Sequence, residues 1–339
     1  MHGTAPRARS IPFPSPSMSQ PRIWFNGQLV AHEDATVHVL AHVVHYGSSV
    51  FEGIRFYETE RGPAIFRLRE HMRRLIDSAK IHRMSVPYTL DALCDAVVET
   101  VVDSGLEAGY IRPVIYRGAG PKGVNPLNNP VEMAIATWEW GQYLGPEAVE
   151  DGVDVHVASW SRAAPNTYPA LAKAGGNYLN SSLIKMDAIL GGYAEGIALT
   201  VDGLLSEGSG ENLFVIRDGV LYTTPMSFAI LPGITRDTLL TIARDRGYEV
   251  KEAAMPREIL YIADELFFTG TAAEVTPIKT VDHHQIGEGS RGPITAELQT
   301  AYFAAIRDVD NPHGWLTFAR EEASAASPTN GKAPAETAA

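Results

Sequence analysis

The sequence predicts a two-domain α+β protein. Three observations lead there. A chain of 339 residues is long enough for about two domains of ~150 residues each. Strand-like and helix-like periods mix without strict βαβ alternation, and no internal repeat is visible. A stretch carrying Gly141, Gly145, Pro146 and Gly152 interrupts the pattern near its middle, as a connection between domains does. The expected units are a small N-terminal α/β domain over residues 21–142, an interdomain loop over 143–152 and a larger C-terminal domain over 153–318.

The elements follow in order. Ile23-Trp24-Phe25 and Leu29-Val30 flank Asn26-Gly27 and read as a hairpin with a tight turn. A second hairpin joins residues 54–57 to 64–67 across Gly62-Pro63. A helix over 70–82 places Met72, Leu75, Ile76 and Ala79 on one face. Thr89 caps another, which runs to Val102 and ends at Gly105. Residues 110–116 and 132–139 read as strands, and Pro113 suggests an edge or an interruption.

Beyond the connection come a strand over 153–160, a loop holding Lys173, and a helix over 177–190 with an apolar stripe of Leu179, Leu183, Met186 and Leu190. Strands fill 195–223, with Asp218-Gly219 as a turn, and a helix over 235–246 stops at Gly247. Strands over 248–251, 265–269 and 276–281 precede a last helix over 294–306. Residues 1–20, rich in Pro, Ser and Arg and without the apolar core of a signal peptide, and residues 319–339 are expected to be disordered tails. Met18, just before the folded pattern, is a candidate start.

Composition narrows the function. Hydrophobic residues make up 45% and aromatics 9%, enough for a sizeable core. A formal charge of −12 argues against a dedicated nucleic-acid or membrane-surface protein, and suits a cytoplasmic enzyme. The single Cys94 sits in an apolar helical run, which excludes an intrachain disulfide and a Cys-rich zinc site. No apolar stretch approaches the roughly 20 residues of a membrane span.

The most informative stretch is Ala172-Lys173-Ala174-Gly175-Gly176-Asn177-Tyr178. Of the seven lysines, only Lys173 lies in a loop of small residues. A lysine so crowded is poorly solvated, which favours the neutral, nucleophilic amine. Schiff-base chemistry needs such an amine, and pyridoxal phosphate is the commonest reason to need one. Leu231-Pro232-Gly233-Ile234-Thr235 opens a helix in the manner of a phosphate site. Thr269-Gly270-Thr271-Ala272-Ala273-Glu274 offers a second Gly/Thr turn, and Ser206-Glu207-Gly208-Ser209-Gly210-Glu211-Asn212 sets carboxylates on a glycine-flanked turn. Each of these alone also reads as an ordinary turn or cap. Tyr110 and Arg112 face one way in their strand, a pairing that suits a carboxylate or a surface ladder. His38, His42 and His45 have helical spacing, but their valine neighbours favour strand or turn and no carboxylate joins them, so no metal is expected. No Gly-x-Ser-x-Gly elbow or P-loop motif is present.

Taken together, these segments resemble the fold-type-IV pyridoxal-phosphate enzymes, and within them the bacterial branched-chain amino acid aminotransferases. The resemblance is carried by His45-Tyr46-Gly47, Val50-Phe51-Glu52-Gly53-Ile54-Arg55, Glu70-His71-Met72-Arg73-Arg74-Leu75 and Tyr110-Ile111-Arg112-Pro113. Gly123-Val124-Asn125-Pro126, Trp140-Gly141-Gln142-Tyr143-Leu144-Gly145, Ser161-Arg162-Ala163-Ala164-Pro165-Asn166-Thr167 and the lysine, Glu207, Gly233 and Gly270 segments extend it from Ile23 to Leu316.

The resemblance implies a homodimer or larger assembly that uses pyridoxal 5′-phosphate, with Lys173 as Schiff-base residue and proton carrier. It implies Glu207 at the pyridine nitrogen, Tyr178 at the ring oxygen, and Arg74, Gly233, Ile234, Thr235 and Thr271 around the phosphate. Tyr110 with Thr271-Ala272 would hold the α-carboxylate, and Arg112 the side-chain carboxylate of glutamate. Tyr46, Phe51, Trp140, Tyr143 and Val124 would line the side-chain pocket. The implied reaction is ping-pong amino transfer between leucine, isoleucine or valine and 2-oxoglutarate. D-Amino acid aminotransferase and aminodeoxychorismate lyase share the fold and are the alternatives, and a non-catalytic pyridoxal-phosphate carrier is the alternative outside enzymes.

Overall fold

The structure is a computed structural model that describes residues 20–322 apart from 142, 143 and 145. The tail expected over 1–20 therefore lies almost wholly outside the described residues, as does most of that expected over 319–339. Two sheets organise the rest. The first runs Leu316–Phe318, Gly62–Phe66, Ile54–Thr59, Gly109–Arg117, Val131–Trp138, Ile23–Phe25, Gln28–Val30, with Ser49–Phe51 also paired to Gly109–Arg117. All its pairings are antiparallel. The helices Leu68–Ile81 and Leu90–Ser104 cover one face, burying Met72, Leu75, Leu93 and Val97 against Ile111 and Ile135. Thr89 Oγ1 accepts from the Ala92 N–H at 3.2 Å, and Gly105 closes the helix at φ +67°, so both ends are fixed by short side-chain and backbone devices. Cys94 is buried in this core.

The second sheet is mixed. Its order is Leu205–Gly208, Glu195–Leu199, Val153–Val157, Glu274–Val281, Glu265–Gly270, Asn212–Arg217, Val220–Thr223, Val250–Glu252. Alternate residues of its central strands enter two different cores: Phe214, Ile216 and Phe267 go to one face, and Leu213, Val215, Leu266 and Phe268 to the other. A strand buried on both faces reads as an unbroken apolar run, as Leu213-Phe214-Val215-Ile216 does. The helices Ile234–Asp245 and Pro293–Ala305 cover the first of these faces with Leu239, Leu240, Leu298 and Tyr302.

Several expectations are corrected. The second hairpin turns at Glu60-Arg61, because Gly62 pairs with Thr59 and Pro63 with Glu58. Pro113 lies in a central strand, paired with Ile135, and marks the place where the opposite neighbour changes from Ser49–Phe51 to Ile54–Thr59. A residue without an N–H is tolerated at such a gap. The interdomain loop contains a helix, Pro146–Asp151, that buries Ala148. The last described residues do not stay with the C-terminal domain: Leu316–Phe318 pairs with Gly62–Phe66, and a short helix, Ala319–Glu322, buries Ala319 in the first core. In the helix Tyr178–Leu190 the buried residues are Ser181, Ile184 and Ala188, whereas Leu179 is 72% and Leu190 89% exposed. Small contacts let this helix sit close to its strand: a Cβ on Gly196 would lie 2.8 Å from Ile184 Cγ2. Leu179, Met186 and Leu190 of its apolar stripe consequently face outward, and Leu183 is half-buried in the cavity lining.

Candidate active site

A cavity of about 450 Å³ lies between the two sheets and is lined from both. Lys173 reaches it from an extended segment docked on the first sheet. Its carbonyl accepts from the Phe51 N–H at 2.9 Å, its N–H donates to Ser78 Oγ at 3.0 Å, and Ala174 bridges Val50. The flanking Ala172 and Ala174 are buried in the first core, so the small residues of the motif are what let this backbone pack so closely. Lys173 Nζ donates to the Tyr178 phenol oxygen at 2.6 Å and lies 5.1 Å from the centre of the Phe51 ring.

Arg74 enters from the helix Leu68–Ile81. Its Nε and one NH2 hydrogen grip Glu52 at 2.6 and 2.8 Å, and NH1 donates to the Pro232 carbonyl at 2.8 Å. Glu52 is fully buried and also meets His71 Nδ1 at 2.7 Å. Burying a lone carboxylate costs several kcal/mol. Burial alone would raise the Glu52 carboxyl, but Arg74 and His71 outweigh it and hold it well below the usual range. Burial keeps the His71 imidazole lowered despite Glu52, and because a carboxylate only accepts, Nδ1 carries the hydrogen toward it. Desolvation opposes charge on Arg74, yet Glu52 raises it further. Two guanidinium N–H groups remain for a ligand.

Gly233, Ile234 and Thr235 begin the helix Ile234–Asp245, which has no side-chain cap. The N–H groups of its first turn have no intrahelical acceptor, and these three residues line the cavity with Arg74 and Thr271. A Cβ on Gly233 would meet Asn212 Oδ1 at 1.9 Å. The buried Thr269 Oγ1, also in the lining, has no partner. Glu207 faces the same space. Its Oε2 accepts from Asn212 Nδ2 and the Leu231 N–H, both at 3.1 Å, and Oε1 lies 3.2 Å from Arg162 NH2. Burial raises the Glu207 carboxyl above its ordinary value, and Arg162, the Leu231 N–H and Lys173 offset this only in part. Uncapped helix donors, an arginine, an amine and a carboxyl around one cavity fit a phosphorylated pyridine aldehyde.

Phe51, Tyr110, Arg112, Trp140 and Ala272 complete the predicted lining. The Arg112 guanidinium carbon lies 4.9 Å from the Phe51 ring centre and 5.7 Å from that of Trp138, and its buried Nε has no partner. Tyr46 and Val124 are not in this cavity: they are 49% and 78% exposed. They neighbour one another through His42, whose ring is tilted against that of Tyr46 with centres 4.4 Å apart and whose Nε2 meets the Val124 carbonyl at 3.3 Å. Tyr46 ends the short helix His42–Tyr46, which Gly47 stops at φ +64°. Tyr143 lies outside the described residues. His38, His42 and His45 bind separate partners, and no three described His, Cys, Asp or Glu side chains group to hold a metal. Among the described residues no helix is long and apolar enough to cross a membrane.

Sequence reasoning assigned no role to Glu52, His71, Arg162 or Asn212. The available signal was an acid beside glycine amid apolar residues, which calls for a buried cation.

The fold and this site fit a transaminase-type enzyme. The chain belongs to the amino-transferase class IV family, whose model matches residues 49–281. It is 52% identical over 296 residues to the branched-chain-amino-acid aminotransferase of Escherichia coli K12, covering 87% of this chain and 96% of that one. The crystal structure of the Escherichia coli branched-chain amino acid aminotransferase superposes with a TM-score of 0.87 at 51% identity, over 88% of this chain and 99% of that one. The T.th. branched-chain amino acid aminotransferase complexed with N-(5′-phosphopyridoxyl)-L-glutamate gives 0.84 at 47% identity, over 89% and 100%.

Proposed function

We propose that this chain is a pyridoxal-phosphate-dependent branched-chain amino acid aminotransferase. It transfers the amino group between L-leucine, L-isoleucine or L-valine and 2-oxoglutarate in two half-reactions. The observation that carries the reading is the Lys173–Tyr178 pair set in one cavity with the Arg74–helix cup and Glu207.

Arg74, the Ile234 and Thr235 N–H groups and the Thr271 hydroxyl would hold the phosphate, and Glu207 the pyridine nitrogen. Bound there, the cofactor supplies a reactive aldehyde carbon and an electron sink. The residues do the rest. Lys173 Nζ, oriented by Tyr178, takes the proton from the substrate Cα and returns one during exchange. Tyr110 and the Thr271-Ala272 turn receive the α-carboxylate. Phe51 and Trp140 give apolar contact to a leucine side chain, and Arg112 neutralises the second carboxylate of glutamate.

The enzyme acts in the cytoplasm as a homodimer or larger assembly. Val39, Val44, Tyr46 and Val124 are large, apolar and exposed, the kind of collection a lone soluble chain avoids. A second copy seated there brings Tyr46 and Val124 to the partner's cavity as side-chain walls.

The test is a half-reaction spectrum with a panel of L- and D-amino acids, followed by glutamate formation from leucine and 2-oxoglutarate. Turnover of the L-branched-chain set supports the reading. Conversion of D-amino acids alone, or cofactor binding without turnover, refutes it.

A further inference from the structure

Ser78 lies outside the cavity lining, yet it binds the residue on which the chemistry turns. It sits on the helix Leu68–Ile81 and is fully buried. Packing does not call for a hydroxyl there. Alanine suits a helix interior better, and a buried hydroxyl costs free energy unless it is hydrogen-bonded. A serine within a helix commonly turns back to its own backbone. Ser78 Oγ instead accepts from the N–H of Lys173 at 3.0 Å, 95 residues away in the chain.

The lysine backbone is held on its other side as well. Its carbonyl accepts from the Phe51 N–H at 2.9 Å. Just beyond it the chain needs glycine, because a Cβ on Gly175 would lie 2.3 Å from Ser49 Oγ. A strand and a helix therefore grip the C=O and the N–H of one residue from two directions. The helix contact adds what the strand contact lacks, a direct relation to the phosphate cup. Ser78 is one turn beyond Arg74 on the same helix, about 6 Å along its axis and on the same face. Arg74 in turn binds Glu52, next in the chain to Phe51, and the Pro232 carbonyl, which leads into the helix Ile234–Asp245. The aldehyde and the phosphate arm of pyridoxal phosphate stand on neighbouring ring carbons, so amine and cup have to keep one separation.

We propose that Ser78 is a positioning residue for Lys173: its hydroxyl ties the lysine backbone to the helix that carries Arg74 and so sets the amine against the phosphate cup. This rests on the transaminase reading above. Loss of the bond leaves the cup intact and lets the lysine drift. A ligand that engages the cup alone is then held as before. One that must also bond the amine, with loss of water from its aldehyde, is held less well, and proton transfer by Nζ slows.

The experiment compares Ser78→Ala and Ser78→Cys with the parent, all as the full chain. Val97→Ala, in the neighbouring helix of the same core, is the control for a general loss of stability. With pyridoxamine phosphate bound, amide hydrogen exchange at residues 172–175 rises roughly tenfold or more in Ser78→Ala, while residues 234–245 keep the parent's protection. Affinity for pyridoxal phosphate falls about tenfold, whereas affinity for pyridoxamine phosphate, which has no aldehyde to bond the lysine, changes by roughly twofold or less. The leucine half-reaction slows about tenfold at saturation with KM little changed. Ser78→Cys keeps the volume with a weaker acceptor; it falls between parent and Ser78→Ala, and carries the same comparisons if Ser78→Ala does not fold. Unchanged exchange, an equal loss of both cofactor forms, or the same pattern in Val97→Ala overturns the proposal. A parent that binds both cofactor forms but does not transaminate leucine refutes the functional reading instead, and the exchange and affinity comparisons still decide whether Ser78 positions the lysine.

Discussion

Lys173 Nζ and the Tyr178 phenol oxygen lie 2.6 Å apart, and the amine also faces the ring of Phe51 at 5.1 Å. The phenol therefore sets the direction of an otherwise flexible side chain. Tyr178→Phe retains the ring and loses that direction. The expected result is a cofactor-loaded protein whose leucine half-reaction is slowed roughly tenfold to a hundredfold in single-turnover spectroscopy. A rate equal to the parent's would remove the orienting role.

Arg112 approaches the cavity over the rings of Phe51, Tyr110 and Trp138, and its buried Nε has no partner. A substrate with a second carboxylate gains a charged hydrogen bond there, whereas leucine gains only apolar contact. Arg112→Ala should raise KM for 2-oxoglutarate by about a hundredfold and that for leucine by roughly threefold or less. Steady-state kinetics with each substrate varied in turn reads the ratio, and equal losses contradict the assignment.

Glu52 is the anion that balances Arg74. Glu52→Gln leaves a buried guanidinium uncompensated, with an expected cost of about 3–5 kcal/mol by chemical denaturation at neutral pH. The Glu52 carboxyl is depressed in the folded state. Its contribution is therefore present above the unfolded carboxylate value of about 4.3 and is lost as pH falls further. The gap between parent and variant should narrow in acid. A gap that stays constant or widens there would contradict the pairing.

Much of this site was legible locally. The lysine loop, the uncapped helix start at Gly233 and the Tyr110–Arg112 face depend on short spacing, which a sequence displays directly. Glu52 and Ser78 were not, because their partners, Arg74 and Lys173, reach them only across the fold. Periodicity found the apolar stripe at Leu179 and Leu190, but a period does not say which neighbour covers a face. The structure turns that stripe outward because Ile184 and Ala188 pack against Gly196. Pro113 was read as an edge or interruption for the right chemical reason, its missing donor. Only the tertiary pairing shows that the gap is where the neighbouring strand gives way to Glu52 and Gly53.

Glu211 provides a pH test independent of turnover. It is buried in the cavity wall, and burial, together with the charge of Glu195, holds its carboxyl above the ordinary value. The folded state then binds more protons than the unfolded chain once pH exceeds about 4.3, so this group lowers stability as pH rises through its window. Glu211→Gln removes that dependence. Thermal unfolding across a pH series should show the variant gaining on the parent toward alkaline pH, and parallel curves would contradict it.

The most direct test is borohydride reduction of the protein loaded with pyridoxal phosphate, followed by peptide mapping. The predicted result is a stable pyridoxyl group on Lys173 and on no other lysine. A label on a different side chain, or none on fully loaded protein, would contradict the account.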